Sequence, residues 1–236
     1  VGSVELDTPK SLEDLQRGAV VDGDSNISPL QLPPWLDMGR CLRVNRFFEE
    51  HAMPLFLLWH CALVIGFSLP SLLGALVFTH ASDNPEASLK RYTRTGQHLA
   101  AWHMGNIFDP ASPAFASVQS VRQMHRGVRD SMQEKMPPQQ RRCISMCDMA
   151  FVQLGFVGPV ILFGRKVGVR DGNEALDDFV YFWRCVGYQL GMADEFNPCS
   201  LGYSFVLPLR PPPLPPPPPP PRPSSGAWRQ NLIRLF

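Results

Sequence analysis

The sequence predicts an all-α fold. Apolar residues recur at helical spacing in several long segments, strand-like alternation of useful length is absent, and the helix-breaking prolines gather at one end. Of 25 prolines, 12 lie between Pro208 and Pro223. With 236 residues and 44% apolar side chains, the chain can bury one large core. Three parts follow: a polar lead-in over 1–34, a helical domain over 35–203 and a proline-rich tail over 204–236.

The lead-in is polar, ends in Pro33-Pro34 and reads as irregular or weakly helical. Its opening stretch, Val1 to Glu5, has neither the basic nor the apolar region of a signal peptide. It also lacks a starting Met, so a fragment is expected. Residues 35–53 read as an amphipathic helix with Arg40, Arg43 and Arg46 on one side. Pro54 to Thr79 is the most hydrophobic run, with no Asp, Glu, Lys or Arg and a single histidine, His60. Two readings of it stand: a core helix, turn and second short helix divided at Pro70, or a membrane span.

Arg91–Trp102 and Phe115–Met132 are expected to be helical, separated by the loop Asp109-Pro-Ala-Ser-Pro113. Gln139–Leu154 should resume a helix that Gly155, Gly158 and Pro159 disturb. Gly168–Gly172 is a turn, and Asn173 is the expected N-cap of a helix running to Gly191. Arg210 to Arg222 can only be extended polyproline II, serving either as a ligand for an SH3, WW or EVH1 module or as a solvated spacer.

Net charge is +1, with no broad basic field for nucleic acid and no acidic field for a basic partner. The six cysteines form no CxxC pair. Cys143 and Cys147, four apart on an expected helix, should share a face in the core, and a reducing or cytosol-facing setting fits them. No GxSxG, P-loop, GxGxxG or HExxH occurs. Asp177 and Asp178 are placed to pair with arginines or cap a helix.

Among six histidines, His125 stands apart. Val118, Val121, His125, Val128 and Met132 recur at helical spacing, so the imidazole projects from an apolar face. Arg122 and Arg129 flank it at i−3 and i+4. An imidazole in an apolar space beside guanidinium groups suits a haem, with nitrogen on iron and arginines on the propionates. Periodicity alone favours the bland alternative, a core histidine bonded to a backbone carbonyl. Arg91, Arg94 and Thr95 share another helical face, either a polar patch meeting an anionic or oxygen-bearing group or a solvated basic face. His98, Trp102 and His103 follow, lining the same cavity or simply packing.

Arg91-x-x-Arg94-Thr95, with Met124-His125-x-x-x-Arg129 thirty residues after, resembles the haem motif region of the rubber oxygenases. The same domain occurs in the endoplasmic-reticulum-bound oxygenase of mycophenolic acid biosynthesis. Trp183-Arg184-x-x-Gly187-x-x-Leu190-Gly191-Met192-x-Asp194-Glu195-Phe196-Asn197 is similar to a late helix and turn of that domain. The resemblance spans roughly residues 40–200 and implies a globin-like helical core holding haem b. It makes His125 the iron ligand and puts Arg91 and Thr95 near the cofactor, with Arg94 approaching the distal side of the iron. Arg122 and Arg129 remain the expected propionate partners.

The implied activity is dioxygen-dependent cleavage of carbon–carbon double bonds in an apolar, isoprenoid-like substrate, in a protein associated with the endoplasmic-reticulum membrane, or a cytoplasmic one where residues 54–79 are core instead of a span. A non-catalytic, membrane-associated or haem-binding helical protein that recruits a partner through its proline tail is the alternative. Two departures accompany the resemblance. The family carries an acidic residue upstream of the Arg/Thr motif, whereas Ser71–Phe78 has none, and Asp83 and Glu86 are displaced from it. The family domain also continues as helix beyond Asn197, so a C-terminally shortened domain is expected here.

Overall fold

The computed structural model describes residues 12–135 and 142–203. The proline-rich tail and its proposed module-binding role lie outside the described residues. Among these residues all named elements are helical, in agreement with the all-α expectation.

Helix α1 (Leu12–Arg17) and a 3-10 turn (Gly18–Val20) form the start. From Leu12 onward the lead-in is more regular than its polarity suggests. Leu15 is buried against Met146, Met149, Ala150, Met192 and Phe196. Residues 21–37 then run as an irregular strap across the later helices. Asp22 makes an isolated antiparallel bridge with Ser145, and Ser25 N–H donates to the Gly191 carbonyl at 2.8 Å. Tyr188 and Tyr181 donate from their hydroxyls to the carbonyls of Gln31 and Trp35.

Helix α2 spans Met38 to Ile65 as two helical halves joined across a kink at His51, close to the expected boundary at Pro54. Asp37 caps it, accepting from Gly39 and Arg40 N–H. Pro54 bends α2 instead of ending it. Proline has no N–H for the carbonyl four residues back and its ring crowds that carbonyl. The distortion appears at His51, whose φ of −125° and ψ of 17° are non-helical. Burial of Val44, Phe47, Phe48, Leu55, Leu58 and Trp59 holds the two halves together, because several large side chains at about 1.5–3 kcal/mol each exceed a proline penalty of about 3 kcal/mol. Asp177 and Asp178 pair with Arg40, and Asp178 also with Arg43, clamping α2 to α7 (Asn173–Gln189).

A 3-10 turn (Gly66–Ser68) and α3 (Pro70–Phe78) follow, with no residue of α3 buried. The Pro70 boundary is therefore as expected. Helices α4 (Pro85–His103) and α5 (Pro113–Gln133) begin at the caps Asn84 and Ser112. Helix α6 (Met146–Phe163) starts from a Ser145/Asp148 capping box. It starts later than expected, and Cys143 precedes it instead of sharing its face with Cys147. It also passes through Gly155, Gly158 and Pro159 without stopping, because Phe156, Val157, Val160 and Ile161 are buried. Gly172, not Asn173, occupies the N-cap position of α7. The core lies among α2, α6 and α7, with Trp59 donating to the Phe156 carbonyl at 3.2 Å. The α4–α5 pair flanks it.

The late motif proves architectural. Arg184 pairs with Asp194 and lies over the Trp35 ring at 3.8 Å. Asn197 Nδ2 donates to the Arg184 carbonyl. A Cβ on Gly187 would stand 2.7 Å from Gln153 Nε2 and 2.8 Å from Asn197 Nδ2. Gly191 has φ of +93°, and a Cβ there would meet Asp24 at 2.6 Å.

Met38–Ser68 and Met146–Val167 are each long and apolar enough to cross a membrane by length and composition. Only 28% of the first apolar window is buried, against 56% of the second, which makes the second a core helix and leaves the first largely uncovered.

Candidate functional site

Ser117 fixes the register of the α4–α5 pair. It meets His98 Nδ1 at 2.7 Å and accepts from Trp102 Nε1 at 3.0 Å. The nine-residue connection 104–112 returns α5 alongside α4, as an antiparallel neighbour. Seven residues back from His98 is Arg91, and seven on from Ser117 is Met124. Counted from Trp102 instead, the residue level with Arg91 is Val128, so at about 1.5 Å per residue Arg91 and His125 stand level to within about three residues.

The Arg91 side chain is held from three directions. Nε donates to Ser82 Oγ at 3.0 Å, and the guanidinium lies 4.3 Å from the Tyr92 ring centre and 5.3 Å from that of Phe67. Its Nη2 is sealed from solvent and has no hydrogen-bond partner. Thr95 is half-buried on the same helix, and Arg94 is exposed. The charge of Arg94 adds to burial in lowering the pKa of His98.

The α5 stripe is covered unevenly. Val118 and Val121 are buried, while His125, Val128 and Met132 are only half covered and Met124 is exposed. Within that half-covered stretch, His125 Nδ1 is nonetheless sealed and without a hydrogen-bond partner. Burial, and then the nearby Arg129 charge, push its pKa down to about 4. The imidazole is thus neutral near pH 7, the form that can give a lone pair to a metal. The expected bland role, a histidine bonded to a carbonyl, is filled instead by His103. That side chain is wholly buried, contacts the Leu99 carbonyl through Nδ1 at 2.8 Å and packs among Phe48, Trp59 and Phe182.

Arg122 and Arg129 are engaged elsewhere. Arg122 forks onto Asp24 through Nε at 2.8 Å and Nη2 at 2.5 Å, and Nη2 also donates to the Ile27 carbonyl. Arg129 Nε lies 2.9 Å from Asp22 Oδ1, an ion-pair distance without the alignment of a hydrogen bond. Both expected propionate partners therefore face carboxylates of the strap. Asp22 and Asp24 gave no sign of this in a polar, aperiodic stretch. Ser82 and Ser117 were equally invisible, since each works through a single contact from a loop or a neighbouring helix.

The displaced carboxylates do not replace the missing acid. Asp83 pairs with His80 at 2.6 Å and Glu86 with Lys90 at 2.8 Å, all at the surface. Helix α3, where the acid would fall, is wholly uncharged.

The α4–α5 pair thus carries two sealed nitrogens without hydrogen-bond partners, His125 Nδ1 and Arg91 Nη2. The family described as the ER-bound oxygenase mpaB/B′/rubber oxygenase catalytic domain matches residues 46–201, and the chain belongs to it. An oxygenase role comes with that membership. No curated protein and no solved structure matches the chain.

Proposed function

We propose that this protein is a haem-b-dependent oxygenase that cleaves carbon–carbon double bonds in an apolar, isoprenoid-like substrate. The observation that carries the reading is the sealed, unpartnered Nδ1 of His125 on α5, with the sealed, unpartnered Nη2 of Arg91 on the neighbouring α4. A buried polar atom without a partner costs about 1–3 kcal/mol, and a ligand that engages both atoms removes that cost. Haem fits both, because iron takes an imidazole nitrogen and a propionate takes a guanidinium. Bound haem would supply the redox-active iron that chemistry with dioxygen requires.

The roles proposed for this chain's own residues follow from their settings. His125 holds the iron as a neutral ligand. Arg91, pre-set by Ser82 and two rings, takes the propionate role first expected of Arg122 and Arg129. Thr95 and Arg94 offer a hydroxyl and a positive charge on the same helix. Leu69, Leu73 and Val77, four apart at the start of and along α3, are exposed and offer an apolar ledge to a hydrocarbon chain. The same ledge, with the uncovered half of α2, supports membrane association.

A second reading is favoured by the uncharged α3: the protein binds haem without cleaving double bonds. Two measurements decide. A Soret band in purified protein, lost in His125→Ala, supports haem binding, and its absence sinks both readings. Dioxygen consumption with formation of carbonyl ends from a polyprenyl substrate then selects the first reading over the second.

A further inference from the structure

We propose that Glu50, His51 and Asp171 form a binding site for a first-row divalent transition-metal cation, with zinc as the reference ion, apart from the α4–α5 site. One ligand atom from each of the three lies within 4.8 Å of the other two. His51 Nε2 is 2.9 Å from Asp171 Oδ2. Glu50 and His51 are consecutive, and in a regular helix consecutive side chains diverge and do not face one place. Here the α2 distortion falls at His51 itself. It lets neighbouring residues serve one point, which Asp171 reaches from the turn before α7.

The chemistry of the set favours a metal over a plain ion pair. An imidazole nitrogen with two carboxylate oxygens is a mixed donor set suited to zinc and its neighbours. The His51 side chain is only 11% exposed, so the nitrogen donor is held in place, while Glu50 is 46% exposed and free to swing. Its present partner, Arg46, is 83% exposed, and such surface pairs yield readily. Glu50 and Asp171 line an open cleft of about 500 Å³ with Arg43, Arg46, Glu174 and Asp178. Asp178 is taken by Arg40 and Arg43, which leaves Glu50, Asp171 and Glu174 facing Arg46, so the cleft favours a cation. Three protein ligands leave positions for water on the cleft side.

The test uses the full chain, purified without a histidine tag and free of haem. Zinc binding is followed by calorimetry, and cobalt is used as a spectroscopic substitute. The expected result is one site per chain, weakened about tenfold or more by His51→Ala and, separately, by Asp171→Asn. Glu50→Gln should weaken it less, and His80→Ala, at the exposed His80–Asp83 pair, should leave it unchanged. Asp171→Asn changes a half-exposed turn residue and keeps the test valid if His51→Ala disturbs the bend. Absence of stoichiometric binding, equal binding by parent, His51→Ala and Asp171→Asn, or an equal loss in His80→Ala overturns the proposal. His125→Ala should bind zinc like the parent, which separates this site from the haem reading.

Discussion

Asp24 and Arg122, 98 positions apart, meet in a buried two-bond fork that ties the lead-in strap to the helix bearing His125. Each side chain is almost wholly enclosed, at 2% and 5% exposure. Burial pushes the Asp24 pKa up, but the Arg122 and Asn26 hydrogen bonds outweigh it and hold it below the ordinary value. Residues 22–24 precede the part of the chain that matches the family, yet they pair with three arginines of the motif helix, Arg122, Arg126 and Arg129.

Removing one partner of that fork leaves an uncompensated buried charge. Asp24→Asn should therefore destabilise the protein by about 3–5 kcal/mol, read from urea unfolding. The double variant Asp24→Asn/Arg122→Met should recover part of the loss. A loss below about 1 kcal/mol for the single variant would mean that the strap is not integral to the fold.

His125→Ala should abolish haem retention and leave most far-ultraviolet helicity in place. The side chain sits where the α5 stripe is half covered, so little core is lost. Full haem occupancy with an unchanged spectrum in the variant would assign the iron to another histidine.

Arg91→Ala and Thr95→Ala should lower haem affinity more than they lower the melting temperature, with Arg91 the larger effect. Its guanidinium carries the unpartnered nitrogen, whereas Thr95 carries no such group. Parallel losses of haem content and melting temperature that added haem does not reverse would give Arg91 a purely structural role.

Stability should fall as pH falls from about 6.5 toward 4. His103 and His125 both have folded pKa values of about 4, for burial in both cases and the Arg129 charge in the second. Unfolded, each titrates near about 6.5. Between those values the unfolded chain binds more protons, so stability rises with pH across the window and is complete above it. For the wholly buried His103 the effect is on the order of 3 kcal/mol. Urea midpoints at pH values spanning the window check it, and His125→Ala should flatten the slope. Equal midpoints at both ends would refute the buried, neutral assignment.

Gly191→Ala should cost about 2–4 kcal/mol, from a left-handed backbone and from contact with a carboxylate that Arg122 holds still. Gly155→Ala, where an added Cβ meets nothing within 4 Å, should be neutral or stabilising. Thermal unfolding of the two variants gives the comparison directly.

Helical periodicity and local chemistry carry no record of tertiary support, and the helix boundaries show it. Pro70 ends an apolar run as its sequence suggests, whereas Pro54 and Pro159 do not, because buried side chains on both sides of each hold the helix through the defect. The Arg91–Arg94–Thr95 and His125 motifs were legible because their residues lie on two helices at fixed spacing. The engagement of Arg122 and Arg129 was not, because their partners come from a segment without periodicity.

By itself the sequence determined the helical class, the apolar stripe of α5, the position of His125 on it and the family motifs, all of which depend on spacing within one segment. Tertiary structure alone decided which polar groups are left without partners. Spacing sets which way a side chain points from its helix, but whether a buried nitrogen finds a carboxylate, as Arg122 does on Asp24, or none, as His125 Nδ1, depends on what distant parts of the chain bring to it.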